Sequence, residues 1–182
     1  MHIRSLAASE LDAFLAYLNE HLLDNGRDGA PLFQPMPRGQ GFPLEKAAAF
    51  RSGAAAALWQ PGWRRVWVAE GEGGILGHID LRSRPEPGAA HRAMLGMGVQ
   101  RDARRSGVGM ALLDAAIAWA REQGLEWIDL EVLSANAPAV ALYRKRGFVQ
   151  TGEIADMFRI DGESLAYTYM SLALQAAQRQ PV

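Results

Sequence analysis

The chain contains no cysteine, which excludes disulfides, thiolate metal sites and a cysteine nucleophile together. It carries little net charge, −1 at pH 7, so nothing draws it to nucleic acid or to an anionic membrane surface. Long apolar runs are missing too. The opening MHIRSLAASELD has no signal-peptide core, and no later stretch offers the roughly 20 apolar residues of a membrane-spanning helix. No internal repeat or linker divides the 182 residues, a length that suits one domain with its own core. The expectation is a single cytoplasmic domain over 1–182, with a core spanning 2–174 and a fraying polar tail at 175–182.

What the chain does carry is concentrated between Met94 and Met110, MLGMGVQRDARRSGVGM. A short apolar strand, Met94 to Val99, gives way to a polar loop, Gln100 to Ser106. Gly107-Val108-Gly109 then opens a helix running to Gln123. The first N–H groups of a helix lack intrahelical partners and sit at the positive end of its dipole, which favours an anion. Gly107 and Gly109 let backbone approach a phosphate closely, and Arg104 and Arg105 add forks suited to its oxygens. The spacing is neither the dinucleotide fingerprint nor a Walker loop. The competing reading is an ordinary strand-to-helix turn with solvated arginines.

Around this centre the order of elements is mixed α/β. His2 to Leu6 alternates as a strand, and Ser9 stands as N-cap to a helix ending near Asp24, with Leu11, Phe14, Leu15, Leu18 and Leu22 as its core stripe. Asn25 to Pro43 is a long Gly/Pro-rich loop with apolar handles at Phe33, Met36 and Phe42, which reads as a flap over a cleft or as a mobile loop. Leu44 to Leu58 is helical, with a break expected at Gly53. Two strands, Arg65–Glu70 and Gly74–Arg82, make a hairpin, and His91–Val99 follows. Leu125–Leu133 reads as a buried strand, Ala137–Arg146 as a short helix, and Phe148–Ile154 and Ser164–Leu174 as strands around an Asp161-Gly162 turn.

In motif and order the chain resembles the GNAT superfamily of acyl-CoA N-acyltransferases. Two stretches carry the likeness. One is Val99-x-x-x-x-Arg104-x-x-Gly107-x-Gly109; the other is Leu130-Glu131-Val132, then Asn136, then Ala141-Leu142-Tyr143-Arg144-Lys145-Arg146-Gly147-Phe148. The resemblance implies a mixed, mostly antiparallel sheet of six to seven strands, helices on both faces and central strands splayed. It implies acetyl-CoA as co-substrate and no metal. Amides from Arg104 through Arg105, Ser106, Gly107, Val108 and Gly109 to Met110 would hold its pyrophosphate. Backbone at Met97, Gly98 and Val99 would pair with the pantetheine arm, the Met97 amide facing the thioester carbonyl as an oxyanion donor. Asn136 would bond the pantetheine or a nearby phosphate, and Tyr143 would protonate the departing thiolate.

An accepting amine is protonated at neutral pH, so a base or a water chain must take its proton. The family's base positions on the central strand correspond here to Ala93 and Leu95, both apolar. Glu131 stands twelve residues before Tyr143, as does the proposed base of ribosomal-protein acetylases, and is the first choice; His91 is the second. His78 and Asp80 share a strand face and read as a surface or mutually satisfied pair, with a weak metal signal. Trp59, Trp63 and Trp67 read as packing. Three functions stay open: acetylation of a primary amine on a small molecule, acetylation of protein N-termini or lysines, and a non-catalytic acyl-CoA-binding module. A homodimer is compatible with each.

Overall fold

A computed structural model describes residues 1–174; the expected fraying tail lies outside them. Seven strands form one sheet in the order β1-β2-β3-β4-β5-β7-β6. They are β1 His2–Ser5, β2 Arg64–Gly71, β3 Gly74–Ser83, β4 Arg92–Val99, β5 Trp127–Leu133, β6 Val149–Ile160 and β7 Glu163–Ala173. Every neighbouring pair is antiparallel except β4 and β5. The β6–β7 turn is Asp161-Gly162, both at positive φ (51° and 82°), a pairing that matches the twist of the flanking strands.

Helices cover both faces. On one lie α1 (Leu11–Leu23) and α2 (Leu44–Ala55). They bury Phe14, Leu15, Leu18 and Phe50 against Val66 and Val68 of β2. A fully buried side chain of this size contributes about 1.5–3 kcal/mol, so this satellite core fixes the helices firmly. On the other face α3 (Val108–Glu122) and α4 (Ala137–Lys145) close the main core over Ile79, Leu81, Ala93, Leu95, Ile128 and Leu130. Trp63 and Trp67 belong to that core and meet Trp119 at 5.9 and 5.1 Å between ring centroids; Trp59 is exposed.

Some local expectations are corrected. Ser9 does not cap α1: a 3-10 turn, Ala8–Glu10, precedes the helix, and the Glu10 carboxylate accepts from the Ala7 amide at 3.0 Å. α2 runs unbroken through Gly53; a Cβ there would meet the Gly62 carbonyl at 2.7 Å, so the glycine serves close packing rather than a break. β6 continues past Ile154, through a register irregularity, to Ile160.

The Asn25–Pro43 loop is pinned. Asn25 is fully buried; its Nδ2 donates to the Gln34 and Met36 carbonyls, and its Oδ1 accepts from the Phe33 and Gln34 amides. Further along, Arg38 donates to Asp161 and Glu163 on the β6–β7 hairpin at 3.2 and 2.6 Å. The loop is a fixed bridge from α1 to the last hairpin.

Candidate active site

β4 and β5 are joined only at Arg92–Trp127, Ala93–Ile128 and Met94–Asp129. Beyond Met94 they part. Leu95 to Val99 stay paired with β3 on one side, and β5 stays paired with β7 through Leu133. The inner edge of the wedge thus presents backbone groups of Met97 and Val99 that need partners, as a strand edge does, while Gly98 faces β3 like Gln100, whose amide donates to the Leu76 carbonyl.

The start of α3 stands at the open end. Gly107, just before the helix, has φ 89°, where an L side chain is strained. The Arg104 amide is taken by the Arg101 carbonyl at 3.2 Å. Among the described residues the amides of Arg105, Ser106, Gly107, Val108, Gly109 and Met110 meet no backbone acceptor. Six donors at the positive end of a helix form an anion cradle, beginning one residue later than expected. A Cβ on Gly109 would lie 3.0 Å from Leu142, 3.6 Å from Val99 and 3.7 Å from Met97. This glycine lets α3, α4 and β4 close on one another beside the wedge.

The Arg104 side chain turns across the mouth. It donates to the Val99 carbonyl at 3.2 Å and pairs with Asp24 at 3.5 Å, its guanidinium 5.6 Å from the Phe33 ring. The Ser106 hydroxyl donates to the Ala103 carbonyl at 2.6 Å. Asn136 caps α4, its Oδ1 accepting from the Ala139 amide at 3.4 Å. Tyr143 is buried on α4, 5.7 Å from the Phe148 ring. Burial pushes its hydroxyl well above the ordinary tyrosine range, so it stays a proton donor at neutral pH.

The two base candidates part company. Glu131 is exposed on β5, on the sheet face of α1 and α2. It lines a cleft of about 550 Å³ at the closed end of the wedge, with Met94, Asp129 and Tyr169. Tyr167 is pushed up to about 12, by burial first and then by the Glu131 carboxylate, which places that charge against the tyrosines of β7. His91 precedes β4 and is exposed, and its carbonyl accepts from the Glu126 and Trp127 amides. The structure brings it to neither the cleft nor the cradle. Ala93 and Leu95 point into the main core.

Two residues that the sequence left aside, Tyr17 and His21, join His78 in a buried group. The Tyr17 hydroxyl and His78 Nδ1 are 3.1 Å apart. His21 lies 5.5 Å from His78 and 5.0 Å from Phe33 between ring centroids. Both imidazoles rest on Gly98: a Cβ there would fall 2.4 Å from His21 Nε2 and 2.6 Å from His78 Cε1. Burial depresses both imidazoles, His21 to about 4 and His78 well below its ordinary value, so both are neutral at pH 7. The expected His78–Asp80 pair is corrected as well. Both are buried, and Asp80 pairs with Arg64 at 2.7 Å and Arg82 at 3.2 Å rather than with His78. Among the described residues no group of three metal-ligating side chains occurs.

A parted parallel pair, a row of unpaired amides at a helix start and a buried tyrosine make up a scaffold of the acyltransferase class. The Acetyltransferase (GNAT) family profile matches residues 37–148, and the chain belongs to that family. It is 30% identical over 121 residues to the L-methionine sulfoximine/L-methionine sulfone acetyltransferase of Pseudomonas paraeruginosa, covering 66% of this chain and 70% of that one. The mycothiol acetyltransferase of Propionibacterium freudenreichii is 42% identical over 82 residues, 44% of this chain and 26% of its own length. Among solved structures, a ribosomal-protein-alanine N-acetyltransferase from Brucella melitensis superposes with a TM-score of 0.77 at 26% identity, over 96% of this chain and all of that one. An acetyltransferase from Salmonella typhimurium, solved with acetyl-CoA, shares the fold with a TM-score of 0.78 at 20% identity, over 100% and 98% of the two chains.

Proposed function

We propose that this acetyltransferase moves an acetyl group from acetyl-CoA to the primary amine of a small molecule, by direct attack with both substrates bound. The observation that carries the reading is the wedge opening at Met94 toward six unpartnered amides at the start of α3. The residues fit the co-substrate, which supplies an activated acetyl thioester. Amides of Arg105 to Met110 hold its diphosphate, and the exposed Arg105 side chain, in the same loop, adds a positive charge. Unpaired β4 backbone holds the pantetheine, and the Met97 amide faces the thioester carbonyl, a donor that stabilises developing negative charge. Tyr143, kept protonated by burial, donates to the leaving sulfur.

Glu131 takes the amine proton, directly or through water, because it alone of the two candidate bases lines the cleft. The amine enters from the α1–α2 face, across which the bridge of residues 25–43 packs on Leu133 and Phe50. That bridge, clasped to the last hairpin by Arg38, disfavours the open groove a protein substrate would need. Likeness to a ribosomal-protein acetylase keeps peptide N-termini as the second reading. A screen of amines and short peptides for acetyl-CoA-dependent thiol release tests both. Failure of every amine and peptide to release thiol, with acetyl-CoA still bound, would overturn the proposal and leave an acyl-CoA-binding module.

A further inference from the structure

The cleft beside Glu131 has a second polar feature that acetyl transfer by itself does not require. Its floor is made by Arg84, from the loop after β3, and Arg92, on β4. Both close on Asp129, which is buried in the floor: Arg84 Nη1 donates to it at 2.9 Å and Arg92 Nε at 2.8 Å. The Ser171 hydroxyl donates to it at 2.7 Å. Burial alone would raise this carboxyl, but hydrogen bonds from Arg92 and Ser171, with the charge of Arg92, hold it below its ordinary value. Two guanidinium charges thus share one buried carboxylate. Glu86, which also accepts from Arg84, is solvent-exposed and screened. Arg84 Nη2 and Arg92 Nη1 find no acceptor among the described residues, and each side chain is about a quarter exposed, 27% and 25%.

The cleft is therefore bipolar. Glu131, without an ion pair among the described residues, offers negative charge next to the wedge. The arginine pair offers unspent donors two residues further down β5. Asp129 and Glu131 are separated by about 7 Å of strand.

Resting on the acetyl-transfer reading, we infer that the acceptor is an α-amino acid, its amine at Glu131 and its carboxylate on the free N–H groups of Arg84 and Arg92. Planar guanidinium forks suit a carboxylate. The same pair repels the second cation of a polyamine. A peptide N-terminus, whose α-carbonyl is an amide, leaves the forks unmatched. Met94 and Tyr169 provide apolar wall for the side chain.

The test compares L-methionine sulfone, phenylalanine and tryptophan with their methyl esters, by thiol release and by calorimetry on the CoA-loaded protein. Arg84→Gln is the informative variant, because Arg92 is tied into Asp129 through two nitrogens and its loss threatens folding; thermal melts check that Arg84→Gln folds. Wild type should prefer the free acids. In Arg84→Gln the KM for them should rise about ten- to a hundredfold, the value of a charged hydrogen bond, so that the preference over esters collapses; Arg84→Lys should recover part of it. Equal turnover of acids and esters by wild type overturns the carboxylate site and leaves acetyl transfer standing. Arg84-dependent binding of the acids without thiol release supports the site and overturns the transfer reading. Absence of both binding and release overturns both.

Discussion

Gly98 is the residue on which the packing of His21 and His78 against β4 depends most directly. Its missing side chain leaves space that His21 and His78 fill. Gly98→Ala forces at least one ring away from the strand, and overpacking of this kind costs about 1–3 kcal/mol. A lower melting temperature is expected, with partial recovery in Gly98→Ala/His21→Ala, where the nearest clash is gone. The two imidazoles also set an acid limit. They are neutral in the fold and titrate near pH 6.5 once unfolded, so below that pH the unfolded chain binds protons that the fold refuses. Stability should therefore be full above about pH 7 and fall as pH drops toward the folded value of about 4 for His21. Denaturant titrations from pH 7 to 4.5 measure the slope, and His21→Phe should flatten it. At the other wall, Tyr143→Phe should lower kcat by about a hundredfold, within the usual range for a positioned acid, while calorimetry shows unchanged affinity for acetyl-CoA. Unaltered kcat would remove Tyr143 from the chemistry.

Among the elements, the bridge of residues 25–43 is held by one side chain at its root. Asn25→Ala removes four hydrogen bonds at a fully buried position and strands their backbone partners, each at about 1–3 kcal/mol if left unmet. Cleavage by a protease should then appear within 26–43 before the sheet unfolds; resistance equal to wild type would show that Leu32, Met36 and Arg38 suffice. The elements also show what a sequence discloses. The loop and helix start were legible because they are built within a dozen residues, Val99 to Met110, where two glycines and a helix start leave few conformations. β4, β5 and the closing β6–β7 turn were legible for the same local reasons. The acceptor wall was not. His21 meets His78, and Arg84 and Arg92 meet Asp129, only through helix placement and strand register, across tens of residues. Gly53 misled for a related reason: its packing partner, the Gly62 carbonyl, lies outside the helix whose continuity was in question.

For the molecule as a whole, the wedge is an opening in the middle of the sheet, and a co-substrate that fills it ties β3–β4 to β5–β7. Ligand that binds only the folded form stabilises it by about 2.7 kcal/mol at a hundred times its Kd. Acetyl-CoA should raise the melting temperature by several degrees, less at high salt because the diphosphate contacts are charged. Desulfo-CoA should retain most of the effect, whereas Gly107→Val, strained at φ 89°, should forfeit it. A shift indifferent to Gly107 would move the nucleotide away from the α3 start.

The clasp between Arg38 and the Asp161–Glu163 turn joins parts of the chain 123 and 125 positions apart. Anyone exchanging the early loop with a relative to redirect selectivity would leave that guanidinium facing a foreign hairpin, or the hairpin facing none. The two segments form a single transplantable cassette, and chimeras that swap them together should keep a closed roof where single swaps open it.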